Sequence, residues 1–171
     1  MDSDASSIRP TKNVVVRALC DILRPVIAGT EVLELFAGTG RVGEALLEEG
    51  ADRVLGVDER EAPEDLPEEY EWIRRDVPAF VKGSFLETFD VIFMDPPYAS
   101  DYAEDLLPEI AESGLLREQG IVAVETGYDT ELPEEQPGAN PLQLMRKREY
   151  GGTRLWIYQS DRDQPGYQEE G

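Results

Sequence analysis

Apolar residues recur along the chain at two spacings, and segments with the two spacings alternate. From Pro10 to Leu23 the apolar positions lie three and four residues apart, which predicts a helix with Thr11 as its N-cap. The next apolar run, residues 31–36, is short and bounded by glycines, so it predicts a buried strand. Residues 41–49 return to helical spacing and end at Gly50.

The same alternation continues to the end of the chain. Pro63 and Pro67 lie among acidic residues and argue against a long helix over 59–69. The remaining predicted elements are strands at 53–57, 71–75, 90–94 and 120–125, a helix over 101–113 broken or bent near Pro108, and a β-hairpin pairing 142–149 with 153–159. Strands that alternate with helices predict an α/β, Rossmann-like, mostly parallel sheet, to which the hairpin adds antiparallel strands. We expect a flexible leader over 1–8, one domain over 9–160 and a disordered tail over 161–171.

Composition narrows the class of protein. The 171 residues suffice for one domain with a core. No run reaches the roughly 20 apolar residues of a membrane span, and the first residues do not resemble a secretory signal, so we expect a cytoplasmic protein without membrane association. Cys20 is the single cysteine and histidine is absent. This composition excludes an internal disulfide, histidine acid–base catalysis and a histidine-ligated metal.

The charge is strongly acidic, with 37 acidic and 16 basic residues and a formal net charge of −21. The acids are spread over most polar segments, which favours a solvated, halophile-like surface over one partner-specific face. Nucleic-acid binding normally uses a basic face. Two local clusters could supply one: residues 146–154, which read RKREYGGTR, and the basic residues near the N-terminus, which include Arg9 and Arg17.

Three features follow successive predicted strands, where open α/β sheets bind their ligands. The first is the loop 34–43, ELFAGTGRVG, in which Gly38 and Gly40 allow a tight turn and close approach of a ligand. Asp58 ends the second strand and can accept hydrogen bonds from both ribose hydroxyls. Asp76 follows the third strand, where it can meet an adenine amino group. Together these residues predict an adenosine pocket; Gly43 falls within the helix and is expected to allow close packing.

Two details decide between a dinucleotide such as NAD and an adenosine cofactor that carries a methionine moiety. Glu34 lies four residues before Gly38, where a buried acid is unfavourable beside a pyrophosphate but favourable beside the ammonium of a methionine moiety. Asp95-Pro96-Pro97-Tyr98 ends the fourth strand. Its carboxylate and the Pro96 carbonyl can hold an exocyclic amine and free its lone pair for attack on a sulfonium methyl. The two prolines make the loop rigid, and the tyrosine can stack on a target base.

At these motifs the chain resembles the class I S-adenosylmethionine-dependent methyltransferases, whose first motif matches ELFAGTG and whose fourth matches DPPY. Residues 9–159, with the Arg9-Pro10-Thr11 motif and IVAVE, further resemble the bacterial 16S rRNA guanine-N2 methyltransferase family. The resemblance implies a seven-stranded domain, S-adenosylmethionine as cofactor and a guanine amine in 16S rRNA or the small ribosomal subunit as acceptor. We expect a monomer.

The resemblance also implies roles for individual residues. Cofactor contacts fall on Glu34, Phe36, Ala37, Gly38, Gly40, Asp58 for the ribose, and Asp76 and Val77 for the adenine. The catalytic motif falls on Asp95, Pro96, Pro97 and Tyr98. Candidate substrate contacts are Arg9, Thr11, Arg146 and Arg148, and no metal is expected.

Three alternatives remain at this point. DNA adenine-N6 methyltransferases also use DPPY-type motifs, but this chain has no room for a target-recognition domain. Protein glutamine methyltransferases favour asparagine where Asp95 stands. A binding module that retains the cofactor pocket without catalysis would have no need of the intact 95–98 motif.

Overall fold

The computed structural model describes residues 3–161, with side chains described from residue 13 onward. The helices are α1 (Ser3–Leu23), α2 (Arg41–Glu48), α3 (Val77–Lys82) and α4 (Tyr102–Ser113). The strands are β1 (Glu31–Leu35), β2 (Arg53–Asp58), β3 (Tyr70–Arg74), β4 (Phe89–Met94), β5 (Leu116–Gly127), β6 (Glu135–Gln136), β7 (Leu142–Tyr150) and β8 (Thr153–Ser160). None of the helices within this described range combines the length and hydropathy of a transmembrane segment.

All the described strands form one sheet in the order β3-β2-β1-β4-β5-β8-β7-β6. Neighbouring strands from β3 to β5 are parallel, and β8, β7 and β6 pair antiparallel. The chain order reverses between β1 and β4, which places the ligand-binding crevice of an open α/β sheet at the carboxyl ends of these two strands. The predicted fold class is therefore confirmed, and the two-residue β6 adds an eighth strand to the expected seven.

Two apolar clusters fill the two faces of the sheet. On one face, strand residues such as Leu33 and Ile92 pack with α3 and α4. On the other, Val32, Phe93 and Ala123 pack with α1 and α2. Successive strand residues point to opposite faces, so this alternation decides on which side of the sheet each functional side chain emerges. We call the second side the α1 face.

The structure corrects three local predictions. Helix α1 begins at Ser3 rather than near Pro10, because the segment before that proline contains no glycine or other proline to stop a helix; residues 3–8 of the expected flexible leader are thus helical. Helix α4 continues through Pro108, since its buried face, which includes Leu106 and Ile110, holds both halves against the sheet. Helix α3 was not predicted. The expected disordered tail lies outside the described residues except for Asp161.

Candidate active site

A cavity of about 910 Å³ opens at the carboxyl ends of β1, β2, β4 and β5. Its volume lies in the range of small-molecule and cofactor sites. It brings together every predicted catalytic residue and all but one of the predicted cofactor contacts. The predicted residues that line it are Glu34, Phe36, Ala37, Gly38, Asp58, Asp76, Val77, Asp95, Pro96, Pro97 and Tyr98.

The loop after β1 turns through three left-handed backbone positions. Gly38 and Gly40 have φ of 60° and 77°, and Phe36 has φ of 58°, which is rare for an aromatic residue and is typical of functional loops. The Phe36 ring stacks on Tyr102 of α4 at 5.4 Å between centroids. Gly40, the exception among the predicted contacts, does not line the cavity: a Cβ there would lie 2.8 Å from Leu66, so Gly40 shapes the turn rather than the wall.

Glu34 lies at the base of this loop and is only 2% exposed. Its Oε1 accepts hydrogen bonds from the Gly43 backbone N–H at 2.9 Å and from the Tyr70 hydroxyl at 2.5 Å. Desolvation raises the pKa of Glu34 to about 7, although both hydrogen bonds oppose this change; the charge of Asp95 raises it further. Glu34 is therefore a buried acid whose ionisation is finely balanced near neutral pH.

Gly43 is confirmed as a close-packing position. A Cβ there would lie 2.5 Å from the Tyr70 ring, 2.6 Å from Glu34 Oε1 and 2.8 Å from Val54. The third glycine of the loop thus also lets the helix backbone reach the Glu34 carboxylate. Tyr70 carries the second donor. Burial, and after it the charge of Glu34, raises the pKa of this tyrosine, which keeps its hydroxyl protonated.

Asp58 and Asp76 both line the cavity and both bind backbone amides. Asp58 Oδ2 accepts from the Gly38 N–H at 2.8 Å, and Oδ1 accepts from the Arg60 N–H at 2.9 Å. Asp76 is the N-cap of α3, with Oδ2 accepting from the Ala79 N–H at 3.0 Å. Because a carboxylate oxygen has two lone pairs, each of these atoms can accept a further hydrogen bond.

All four residues of the motif 95–98 line the cavity. The Asp95 N–H donates to the Leu35 carbonyl at 3.4 Å, which ties the end of β4 to β1. Tyr98 is half exposed, and its hydroxyl lies 2.6 Å from the Thr153 hydroxyl at the start of β8. This contact fixes an aromatic face at the cavity mouth.

Sequence reasoning missed several residues of the cavity. Val15, Val16 and Leu19 of α1 form an apolar wall, although their spacing had indicated only packing. Glu125 and Thr153 also line the cavity and are 2% and 5% exposed. Glu125 had a detectable signal, since an acid ends the predicted fifth strand; Thr153 had none, because its neighbour Tyr98 is 55 residues away in sequence.

Of the predicted substrate contacts, the two on β7 lie outside the cavity. Arg146 and Arg148 are exposed on β7 and stand opposite Ile157 and Leu155, which places both on the α1 face. Within the described part of the chain neither arginine has an ion pair, whereas Arg154 binds Glu131 and Glu149. The side chains of Arg9 and Thr11 lie outside the described residues, although the backbone at both positions belongs to α1.

The chain is similar to proteins named as rRNA methyltransferases. It is 32% identical over 165 residues to "Putative rRNA methyltransferase YlbH" of Bacillus subtilis, covering 90% of this chain and 88% of the relative. It is 28% identical over 166 residues to ribosomal RNA small subunit methyltransferase D of Escherichia coli, covering 92% and 82%. The solved structure of HI0767 from Haemophilus influenzae superposes with a TM-score of 0.73 at 26% identity, covering 86% of this chain and 88% of that one.

The strand order, with its C-terminal antiparallel hairpin, is that of the class I methyltransferases. The family model described as conserved hypothetical protein 95 matches residues 2–159, a range that contains the whole cavity and all the described strands except the last residue of β8. The chain belongs to this family.

Proposed function

We propose that this protein is an S-adenosylmethionine-dependent methyltransferase that methylates the exocyclic N2 amine of a guanine in 16S rRNA. One observation carries the proposal: the 95–98 motif faces the same cavity as Glu34 and Asp58. The motif proposed to bind the acceptor amine and the acid proposed to bind adenosine therefore line the same cavity. The names of the similar rRNA methyltransferases support RNA as the substrate class.

The cavity fits the cofactor in charge and shape. Glu34 offers a carboxylate to the methionine ammonium, and Asp58 offers both of its oxygens to the ribose hydroxyls. Asp76 and Val77 line the side assigned to adenine. At the glycine loop, the backbone of Ala37 and Gly38 lets a ligand approach closely. These groups are held by the backbone contacts described above, so the pocket needs little rearrangement on binding.

Catalysis rests on placement of the acceptor amine. The bound cofactor supplies a methyl group activated by a sulfonium. The Asp95 carboxylate and the Pro96 carbonyl accept hydrogen bonds from the amine, which localises the nitrogen lone pair. S-adenosylmethionine would supply the methyl group to this lone pair, leaving the C–S electron pair on sulfur, and Asp95 is placed to take the proton that the amine releases. Tyr98 stacks on the base from the position set by Thr153.

The α1 face supplies the RNA contacts in this proposal. Arg146 and Arg148 lie on that face, and α1 carries Arg9 and Thr11. Neither of these two β7 arginines has an ion pair within the described part of the chain, in contrast to Arg154. Both are therefore available for phosphates, although the overall charge of the protein is negative. We propose that the enzyme acts as a monomer in the cytoplasm on rRNA or on the small ribosomal subunit.

The proposal is tested by methyl transfer from labelled S-adenosylmethionine to undermethylated small subunits, naked rRNA and DNA, at low and high salt. Nucleoside mass spectrometry should identify N2-methylguanosine. The Asp95→Ala variant should lose at least about 100-fold in kcat, since removing one electrostatic stabiliser typically costs this much. Asp105→Asn changes an exposed acid of α4 outside the cavity and should retain activity.

Other results would assign a different function. Label in DNA adenine with none in RNA would indicate a DNA methyltransferase. Tight binding of S-adenosylmethionine without transfer to any of the three acceptors would indicate a binding module. Methylated guanosine formed equally by wild type and Asp95→Ala would contradict the catalytic role of the motif.

A further inference from the structure

Glu125 is a buried acid beside the catalytic motif that the proposed reaction has not yet used. It lies near the carboxyl end of β5, is 2% exposed and lines the cavity. The register of β4 and β5 pairs Met94 with Val124, so Asp95 and Glu125 are the next residues along two neighbouring parallel strands. Adjacent strands are about 4.8 Å apart, which brings the two acids side by side.

Both acids emerge on the α1 face. Phe93 and its register partner Ala123 belong to the cluster that packs on α1 and α2. Asp95 and Glu125 are each two residues further, and the strand period of two returns their side chains to that face. The cavity thus presents two neighbouring carboxylates on the side where the RNA is proposed to approach.

Two adjacent carboxylates select among nucleobase edges by their hydrogen-bonding capacity. An ionised carboxylate only accepts hydrogen bonds. Guanine offers an adjacent N1–H donor and N2 amino donor, whereas adenine places an N1 lone pair beside its amino group. A pair of acceptors therefore matches guanine and leaves a buried carboxylate facing a lone pair when adenine is bound.

We propose that Glu125 is a specificity-determining residue that accepts the N1–H of the target guanine while Asp95 holds its N2 amine. This inference rests on the proposed function and explains its choice of guanine over adenine. Glu125 has a further interaction within the protein, and a carboxylate has enough lone pairs to keep that contact and accept the base as well.

The test changes the N1 edge of the base and one group of the protein. The methylated guanosine is first mapped in undermethylated small subunits. Subunits are then reassembled with 2-aminopurine at that position, which retains the N2 amine but lacks O6 and carries a lone pair at N1; the protein variant separates the effect at N1 from the loss of O6. Wild type should prefer guanosine by at least about 10-fold in kcat/KM, because a hydrogen bond to a charged group is worth about 10- to 150-fold.

The Glu125→Gln variant should lose about 10- to 150-fold in kcat/KM on guanosine and keep or raise kcat/KM on 2-aminopurine, because its amide NH2 can donate to the N1 lone pair, so the preference collapses. Its dissociation constant for S-adenosylmethionine should match that of wild type, which also shows that the variant is folded. Glu118→Gln, at an exposed position of β5 outside the cavity, is the matched control and should retain the wild-type preference.

The outcomes separate this inference from the proposed function. If wild type methylates 2-aminopurine as well as guanosine, the role of Glu125 is wrong, and no variant is needed to reach that conclusion. An unchanged preference for guanosine in a folded Glu125→Gln variant would also contradict the role of Glu125. If wild type methylates no guanosine in any acceptor, the proposed function itself fails.

Discussion

Replacing Glu34 by glutamine should stabilise the fold and weaken cofactor binding at the same time. The carboxylate is 2% exposed, and burial raises its pKa to about 7 from an ordinary value of 4.5. Glutamine keeps the length of the side chain and an oxygen that accepts from Gly43 and Tyr70. The substitution removes the charge. The variant therefore separates the cost of burying the charge, measured as stability, from the contribution of the charge to cofactor binding.

The sign of the pH effect follows from this raised pKa. Between about pH 4.5 and 7 the folded protein binds a proton at Glu34 that the unfolded chain has released, so the free energy of unfolding falls as pH rises through this window. At about 1.4 kcal/mol per pH unit, the ionised carboxylate lowers the free energy of unfolding by about 3 kcal/mol above pH 7. Glu34→Gln should recover up to about this amount at pH 8 and almost none at pH 4.5 and below.

Cofactor binding should change in the opposite direction. A hydrogen bond between the Glu34 carboxylate and the methionine ammonium is worth about 1.5–3 kcal/mol, so Glu34→Gln should weaken S-adenosylmethionine binding about 10- to 150-fold at pH 8. In wild type, binding below pH 7 should release a proton, because the ammonium favours the ionised acid.

Denaturant unfolding without cofactor and titration calorimetry at pH 4.5 and 8, at constant high salt, measure both quantities. Glu48→Gln on α2 is the control, since this glutamate is exposed. The reasoning fails if Glu34→Gln destabilises the protein at pH 8, or if the folded variant binds S-adenosylmethionine as tightly as wild type.

Three further predictions address the loop, the aromatic wall and the surface. Asp58→Asn should weaken S-adenosylmethionine binding by at least about 10-fold in calorimetry, because the Gly38 N–H and the ribose both lose a charged acceptor; affinity equal to wild type would contradict the ribose assignment. Thr153→Val removes the hydroxyl that contacts Tyr98 and should raise KM for RNA without changing cofactor affinity, while Thr153→Ser should restore it. With a net charge of −21, the free energy of unfolding should increase from 0.1 to 1 M salt in denaturant titrations, and a decrease would refute this account of the surface.

The parts of the fold that could be predicted are those whose signal is local. The strand at 31–35 and the helix over 41–48 follow from the spacing of their apolar residues, and both lie within one or two residues of the predicted bounds. Glu34 and Asp58 could be predicted to line the cavity, because Glu34 lies near the end of a buried strand, four residues before Gly38, and Asp58 ends the next strand. Parallel strands bring such ends to one edge, so sequence position alone predicts proximity.

The missed elements depend on contacts that are distant in sequence or on capping. Helix α3 has six residues, too few for a periodic pattern, and is set by the Asp76 N-cap. The site residue Thr153 is defined by its contact with Tyr98, across β5. Val15 and Val16 were predicted as helix residues, but only the packing of α1 on the sheet places them in the cavity wall.

The three acids that the sequence assigned to the cofactor share a feature that only the structure could show. Each already accepts a backbone N–H: Glu34 from Gly43, Asp58 from Gly38, and Asp76 from Ala79. Their positions are therefore fixed by the turns that follow β1 and cap α3, and ligand groups can use their remaining lone pairs. Alanine at any of these positions would remove a ligand contact and a backbone contact together. The amide variants of Glu34 and Asp76 keep the oxygen that accepts the backbone N–H and remove the charge, and for this reason they test binding with less damage to the fold; Asp58 accepts through both oxygens, and its amide variant keeps one of them.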